Sequence, residues 1–433
     1  MTENSLPTPP ARPTAVRCTV GLLLTGVLAT GCGTATRGAP AASSGAAHAA
    51  HAAQQQAAPA DAVQLRSTLE RLLGAHVLLA DEFVRTAVTG QTEQNAAVGD
   101  SVARNQTELV ELVTAQGGAA AGQQFQAAWQ HHVDVLAAYA AALQSKDTAA
   151  QAATRAQYVA AEQQLAQSFS TVVGGTVPLP ALQQAGTVHG EHLLDQGEAF
   201  AGGGYDTAYS IQRAAFGHML TAADVLARGV ADVKDLPTAE LDAPRRSLQT
   251  ALSSLLAQHM GLMVQAMRAA HDGSPDFPAA GRAVNLNTTE LAGAIRTLYG
   301  EDASRQFLDI WASHVEALIA YASAEDEAER EQRRETGTDY APQLARFLAT
   351  ATEERLPAID LAAALTEHDD HLRDSLDAYA QADYEQSQAL AERGYAHMFE
   401  LSQGLATAVG DAVAAKLPQG GPATGGGGLA SRH

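Results

Sequence analysis

The chain has 433 residues, a formal net charge of −21 and 46% hydrophobic residues dominated by alanine, with only 5% aromatics. An acidic chain with no basic cluster repels nucleic acid and anionic lipid, so nucleic-acid binding is excluded. The length exceeds what one hydrophobic core usually serves, and the alanine-rich composition favours helices throughout.

Residues 1–31 read as a targeting segment. Arg12 and Arg17 precede the apolar run "TVGLLLTGVLATG", which is too short to span a bilayer and ends just before Cys32. The stretch "LATGC" (28–32) resembles the lipobox of bacterial lipoproteins. That resemblance implies that Cys32 becomes the lipidated first residue, so that the protein is held to a membrane outside the cytoplasm, at the cell surface or in the periplasm. Cys18 lies within the removed segment, which leaves no disulfide and no free thiol for a metal or a substrate. Residues 32–61 continue as a low-complexity tether, and 418–433, "PQGGPATGGGGLASRH", form a flexible tail.

Between tether and tail the chain repeats itself. "LRSTLERLLGAHVLLADEF" (65–83) matches "LQTALSSLLAQHMGLMVQA" (248–266), "FQAAWQHHVDVLAAYA" (125–140) matches "FLDIWASHVEALIAYA" (307–322), and "VHGEHLLDQGEAF" (188–200) matches "EHDDHLRDSLDAY" (367–379). The expectation is an all-α fold of two tandem homologous up-and-down bundles, residues 62–234 and 247–417, joined at "KDLPTAELDAPRR". Gly, Pro and Asp punctuation divides the first copy into six helices, about 62–89, 94–116, 120–145, 148–173, 179–201 and 205–233. Short loops make neighbours antiparallel.

Ten of the fifteen histidines form matched pairs across the copies: His76/His259, His132/His314, His189/His368, His192/His371 and His218/His397. On the first helix His76 falls in the stripe Leu65, Leu69, Leu72, Leu79, Phe83, and on the third His132 falls in Phe125, Trp129, Leu136, Tyr139. His189 joins Leu182, Leu193 and Phe200 on the fifth helix, and His218 joins Ile211, Ala215, Ala222 and Val225 on the sixth. Each histidine lies near mid-length of its helix, a height that up and down helices share, so four imidazoles per copy are expected to meet in one layer. Trp129 and Trp311 would roof this layer, with Tyr139 and Tyr321 closing the other side.

A lone histidine on an apolar face is usually a hydrogen-bonded core residue. Four in one layer are harder to satisfy, because each neutral ring brings a donor and an acceptor, and a bound metal ion resolves the conflict. Imidazole without thiolate suits copper or zinc, with copper preferred. Met219 and Met398, next to His218 and His397, and the second histidines His192 and His371 are secondary candidates, and Asp195 and Asp374, one turn beyond His192 and His371, are candidates to orient those rings. Asn105/Glu108 and Asn287/Glu290 recur on the second helix and are candidates for the same purpose. Two alternatives stand beside the metal: a noncovalent haem held by two facing histidines, and a structural surface protein whose histidines only pack. No G-x-S-x-G, usable cysteine or Gly-rich phosphate loop argues for catalysis.

With "LLxxH", "FxxxWxxHV", "H…L…Y" and "AHM" in that order, each copy resembles a helical module of bacterial lipoproteins and secreted proteins, some relatives of which are labelled copper amine oxidase-like. The resemblance implies an extracytoplasmic, metal-linked protein whose signature residues are His76, His132, His189, His218 and their second-copy partners. It does not imply oxidase chemistry, which belongs to a different, β-rich fold.

Overall fold

The computed structural model describes residues 61–336 and 340–416. Cys32, the targeting segment, nearly all of the tether and the tail lie outside the described residues, which are helical and contain no strand. The first copy consists of α1 (Ala62–Thr89), α2 (Thr92–Gly117), α3 (Ala119–Gln144), α4 (Thr148–Val172), α5 (Leu179–Ala201) and α6 (Tyr205–Val233). After a 3-10 turn at Ala239–Asp242, the second runs α7 (Pro244–Asp272), α8 (Phe277–Tyr299), α9 (Glu301–Ala322), α10 (Glu327–Thr336), α11 (Tyr340–Ala351), α12 (Ala358–Ala380) and α13 (Tyr384–Lys416). The ends follow local chemistry. Asp61 caps α1 by accepting from the Gln64 N–H, Asp147 caps α4 by accepting from Ala149 and Ala150, and Gly90 closes α1 in the left-handed region.

The counterpart of α4 is the one place where the repeat diverges in architecture. Its first part, α10, reads "EAEREQRRET" and has no apolar stripe to bury, so only α11, from Tyr340 onward, packs into the core.

The copies are not two beads on a string. Most of their buried apolar side chains form one cluster that spans both copies, from Leu65 to Ala406, with a smaller one around Tyr139 and Leu193 in the first copy. Helices α1 and α7 lie side by side and run parallel, as shown by Gln249 donating to Ser67, Thr250 to Glu70 and Gln265 to Asp81. On the flanks α2 packs on α13, while its counterpart α8 packs on α6, the counterpart of α13. This reciprocal pattern is that of a two-fold axis running between α1 and α7. At the axis Leu78 faces its own counterpart, Gly261: a Cβ there would stand 2.8 Å from Leu78 Cδ1, so the missing side chain is what lets the two helices approach.

The seam also carries buried charge. Arg85 on α1 donates to the Tyr209 hydroxyl at 2.8 Å and to the Asp276 carboxylate, which also accepts from Tyr209 at 2.9 Å. Asp81, one turn before Arg85, accepts from Gln265 across the seam and from Gln196 within its own copy. Removing one member of such a dry pair leaves the other charge uncompensated. Arg85→Met is therefore expected to lower the unfolding free energy by about 3–5 kcal/mol, read from urea titration with far-ultraviolet circular dichroism.

Candidate metal centre

Three of the four expected histidines converge in each copy. His76 (α1), His132 (α3) and His189 (α5) are all buried, and each offers a ring nitrogen within 4.8 Å of the others; His259 (α7), His314 (α9) and His368 (α12) repeat the arrangement. The closest approach is His76 Nε2 to His132 Nε2, 3.1 Å. Two ligand atoms on one tetrahedral ion with bonds of about 2.0–2.1 Å stand about 3.3 Å apart, so this spacing suits a shared metal.

Trp129 packs edge-on against His76 with ring centroids 4.6 Å apart, and Trp311 lies tilted against His259 at 4.7 Å. The tryptophans thus cover the trios as expected. Tyr139 and Tyr321 do not close the other side. They lie two turns away, where Tyr139 accepts from Arg155 and Tyr321 donates to Asp377, because a side chain two turns from His132 or His314 is out of reach of that layer.

The fourth histidine is corrected. His218 Nε2–H donates to the Ala185 carbonyl and His397 Nε2–H to the Ala364 carbonyl, each at 2.9 Å, so both are satisfied by main chain at the rim of the bundle. Helix α6 buries Gln212, Phe216, Met219, Ala223 and Leu226 instead, a stripe turned by one residue from the expected one, while Val225 is exposed. His192 faces His218 with ring centroids 5.7 Å apart, and His371 faces His397 at 6.0 Å, forming outer pairs distinct from the trios. Asp195 and Asp374 orient no ring: they are half-exposed and bound to Arg155 and Arg334.

Met219 lines an apolar cavity of about 180 Å³ beside His189, together with Trp129, Leu182 and Phe169; Met398 lines a smaller one, about 60 Å³, beside His368. Both are smaller than the roughly 300–1,000 Å³ of most small-molecule pockets. A haem needs a slot between facing ligands, whereas these nitrogens converge on a point, so the haem alternative finds no support.

Two pairs of residues at the trios have no place in the histidine pattern. Glu162 on α4 sits 2.7 Å from His132 Nδ1, and Tyr158 places its hydroxyl 3.2 Å from His132 Nε2. In the second copy the carboxylate comes from another helix: His314 Nδ1 lies 3.2 Å from Asp369 Oδ1 on α12. Alignment puts Leu344 where Glu162 stands, and Gly190 where Asp369 stands. The exchange is steric as well as chemical, since a Cβ on Gly190 would meet Glu162 Cγ and the Tyr158 ring at 3.1 Å. The first trio therefore has a carboxylate hydrogen-bonded behind the ring of its α3 histidine, the arrangement that fixes the tautomer of a metal-binding imidazole, whereas in the second the Asp369 carboxylate stands at ion-pair distance from His314 without a hydrogen bond. Tyr158 and Tyr340 are themselves a matched pair, a signal visible in the sequence; Glu162 and Asp369 are not.

Asn105 and Asn287 recur beside the trios, each donating at 3.0 Å to a main-chain carbonyl of the neighbouring histidine helix, Leu72 and Leu255. Glu108 and Glu290, by contrast, pair at the surface with Arg71 and Arg213.

Burial dominates the protonation of the site. It holds His76 and His189 well below the usual imidazole range and lowers His132 to about 3, so all three keep free lone pairs at neutral pH; His259 and His368 are lowered likewise. Burial pushes Glu162 up to about 7. For Asp369 burial acts in the same direction, but His314 and Arg373 hold it below the usual carboxylate range. His76 Nδ1, His189 Nδ1 and both His368 nitrogens are buried without a hydrogen-bond partner. Such a set of neutral, unsatisfied imidazoles in a dry core fits a metal ion.

No family model, curated protein or solved structure matches the chain.

Two outcomes follow from the site. The five trio histidines that burial lowers, His76, His132, His189, His259 and His368, stay neutral in the fold but take up protons at about 6.5 when unfolded, so acid favours unfolding by about 1.4 kcal/mol per pH unit for each proton. Glu70, Asp81 and Glu162, raised to about 7, act oppositely between about 7 and 4.5 but are fewer. Metal-free protein should therefore melt at progressively lower temperature from pH 6.5 downward, more steeply below about 4.5. Glu162→Leu leaves His132 Nδ1 unpaired and is expected to cost about 1–3 kcal/mol in urea unfolding. Adding Gly190→Asp, which transplants the second copy's arrangement, should recover part of that loss.

Proposed function

We propose that the protein is an extracytoplasmic lipoprotein that binds one metal ion in each copy, through His76, His132 and His189 and through His259, His314 and His368, in storage, buffering or sensing. The observation that carries the metal reading is the repeated set of three buried imidazoles with ligand atoms within 4.8 Å of one another. Copper is the preferred ion and zinc the second, because neutral imidazole ligands without thiolate suit both. The resemblance of "LATGC" to a lipobox supports anchoring through Cys32. Among the described residues no helix is long and apolar enough to cross a membrane. Nothing in the site assigns a catalytic step.

Elemental analysis of protein exported in its native host, followed by equilibrium dialysis against Cu(II) and Zn(II), tests this. About two ions per chain are expected, falling to about one in His132→Ala or His314→Ala and to none in the double variant. Metal at one hundred times its Kd should raise the unfolding free energy by about 2.7 kcal/mol. A full-length chain that binds no ion, with a melting temperature indifferent to the double substitution, would leave the histidines as packing residues.

A further inference from the structure

His132 Nε2 faces more partners than it can serve. His76 Nε2 stands 3.1 Å away and the Tyr158 hydroxyl 3.2 Å away. The opposite nitrogen, Nδ1, is occupied by Glu162 at 2.7 Å. A neutral imidazole has one donor nitrogen and one acceptor nitrogen. Whichever tautomer Glu162 selects, Nε2 presents either one proton or one lone pair to two neighbours, and one contact goes unmet. All of these atoms are buried, so water cannot make up the difference. A cation among His76 Nε2, His132 Nε2 and the Tyr158 oxygen meets all three at once, with separations of 3.1 and 3.2 Å close to the about 3.3 Å of a tetrahedral ligand set.

The second copy keeps the tyrosine but turns it. Tyr340 stacks face to face on His314, with ring centroids 4.0 Å apart and an interplanar angle of 25°. An ion bound by an imidazole lies in the ring plane, beyond the nitrogen, so a ring lying over that plane holds its hydroxyl away from the ion. The corresponding angle between Tyr158 and His132 is 48°.

Resting on the metal reading above, we infer that Tyr158 is a fourth, phenolate ligand in the first copy, and that the second copy binds through three imidazoles alone. The first site is then closed, with four protein ligands, and the second keeps a position open. A charged oxygen ligand favours Cu(II) over soft Cu(I), so the first site prefers Cu(II) more strongly than the second. Coordination replaces the phenolic O–H bond with an O–Cu(II) bond, and the proton is released to bulk solvent as the ion enters.

The test is visible absorption of the full chain loaded with Cu(II). A phenolate-to-copper charge-transfer band is expected from one of the two ions. It should persist in His314→Ala, disappear in His132→Ala, persist in Tyr340→Phe, and disappear in Tyr158→Phe while copper stoichiometry stays near two. Tyr158→Phe should weaken copper binding at the first site by about 10- to 100-fold. Zn(II)-loaded protein, a closed-shell control, should be colourless. If Tyr158→Phe does not fold, resonance Raman scattering of the His314→Ala protein reads the phenolate ring modes directly. A two-ion protein lacking the band, or one whose band survives Tyr158→Phe or follows Tyr340, overturns the inference. A wild-type chain that takes up no copper would instead remove the metal reading on which it rests.

Discussion

A neutral imidazole must give one hydrogen bond and receive one, and three of them packed together without water cannot satisfy one another. The rest of the architecture answers this constraint. Each copy places one ring on each of three rods at mid-height and covers them with tryptophan, and in the first a carboxylate holds the back of one ring. Several of the remaining ring nitrogens are buried without a hydrogen-bond partner. An apolar core tolerates such groups only if something positive or proton-bearing occupies the space among them.

The fold class and three of the four inward histidines were legible because both depend on local periodicity. His76 and His132 sit in long stripes of Leu, Phe and Trp, whose direction no neighbour can alter. His218 sits on a helix whose candidate stripes are both rich in alanine, so its sequence does not decide which way it turns. The surroundings do: Phe216 and Met219 fill the space beside α1, and His218 is left to a main-chain carbonyl at the rim. Tyr139 and Tyr321 share the stripe of the histidines but not their height. A helical face specifies direction, and two turns along it is a different layer.

What the sequence hid follows a single rule. Matching the copies finds residues that both need, and the contacts between copies need residues that differ. Leu78 fits against Gly261 because its counterpart has no side chain. Glu162 is paired with Leu344 in alignment, and Gly190 with Asp369. Read position by position these are mismatches; in space they are two solutions of the same problem.

That exchange has a bearing on how the chain came to its present form. The carboxylate could not have moved between helices in one substitution, and the sterically crowded alternative, with both acids present, is disfavoured by the contact between position 190 and Tyr158. A copy with neither acid would leave its imidazole unsupported, whereas each copy as it stands draws its carboxylate from its own helices and so holds its trio independently of its twin.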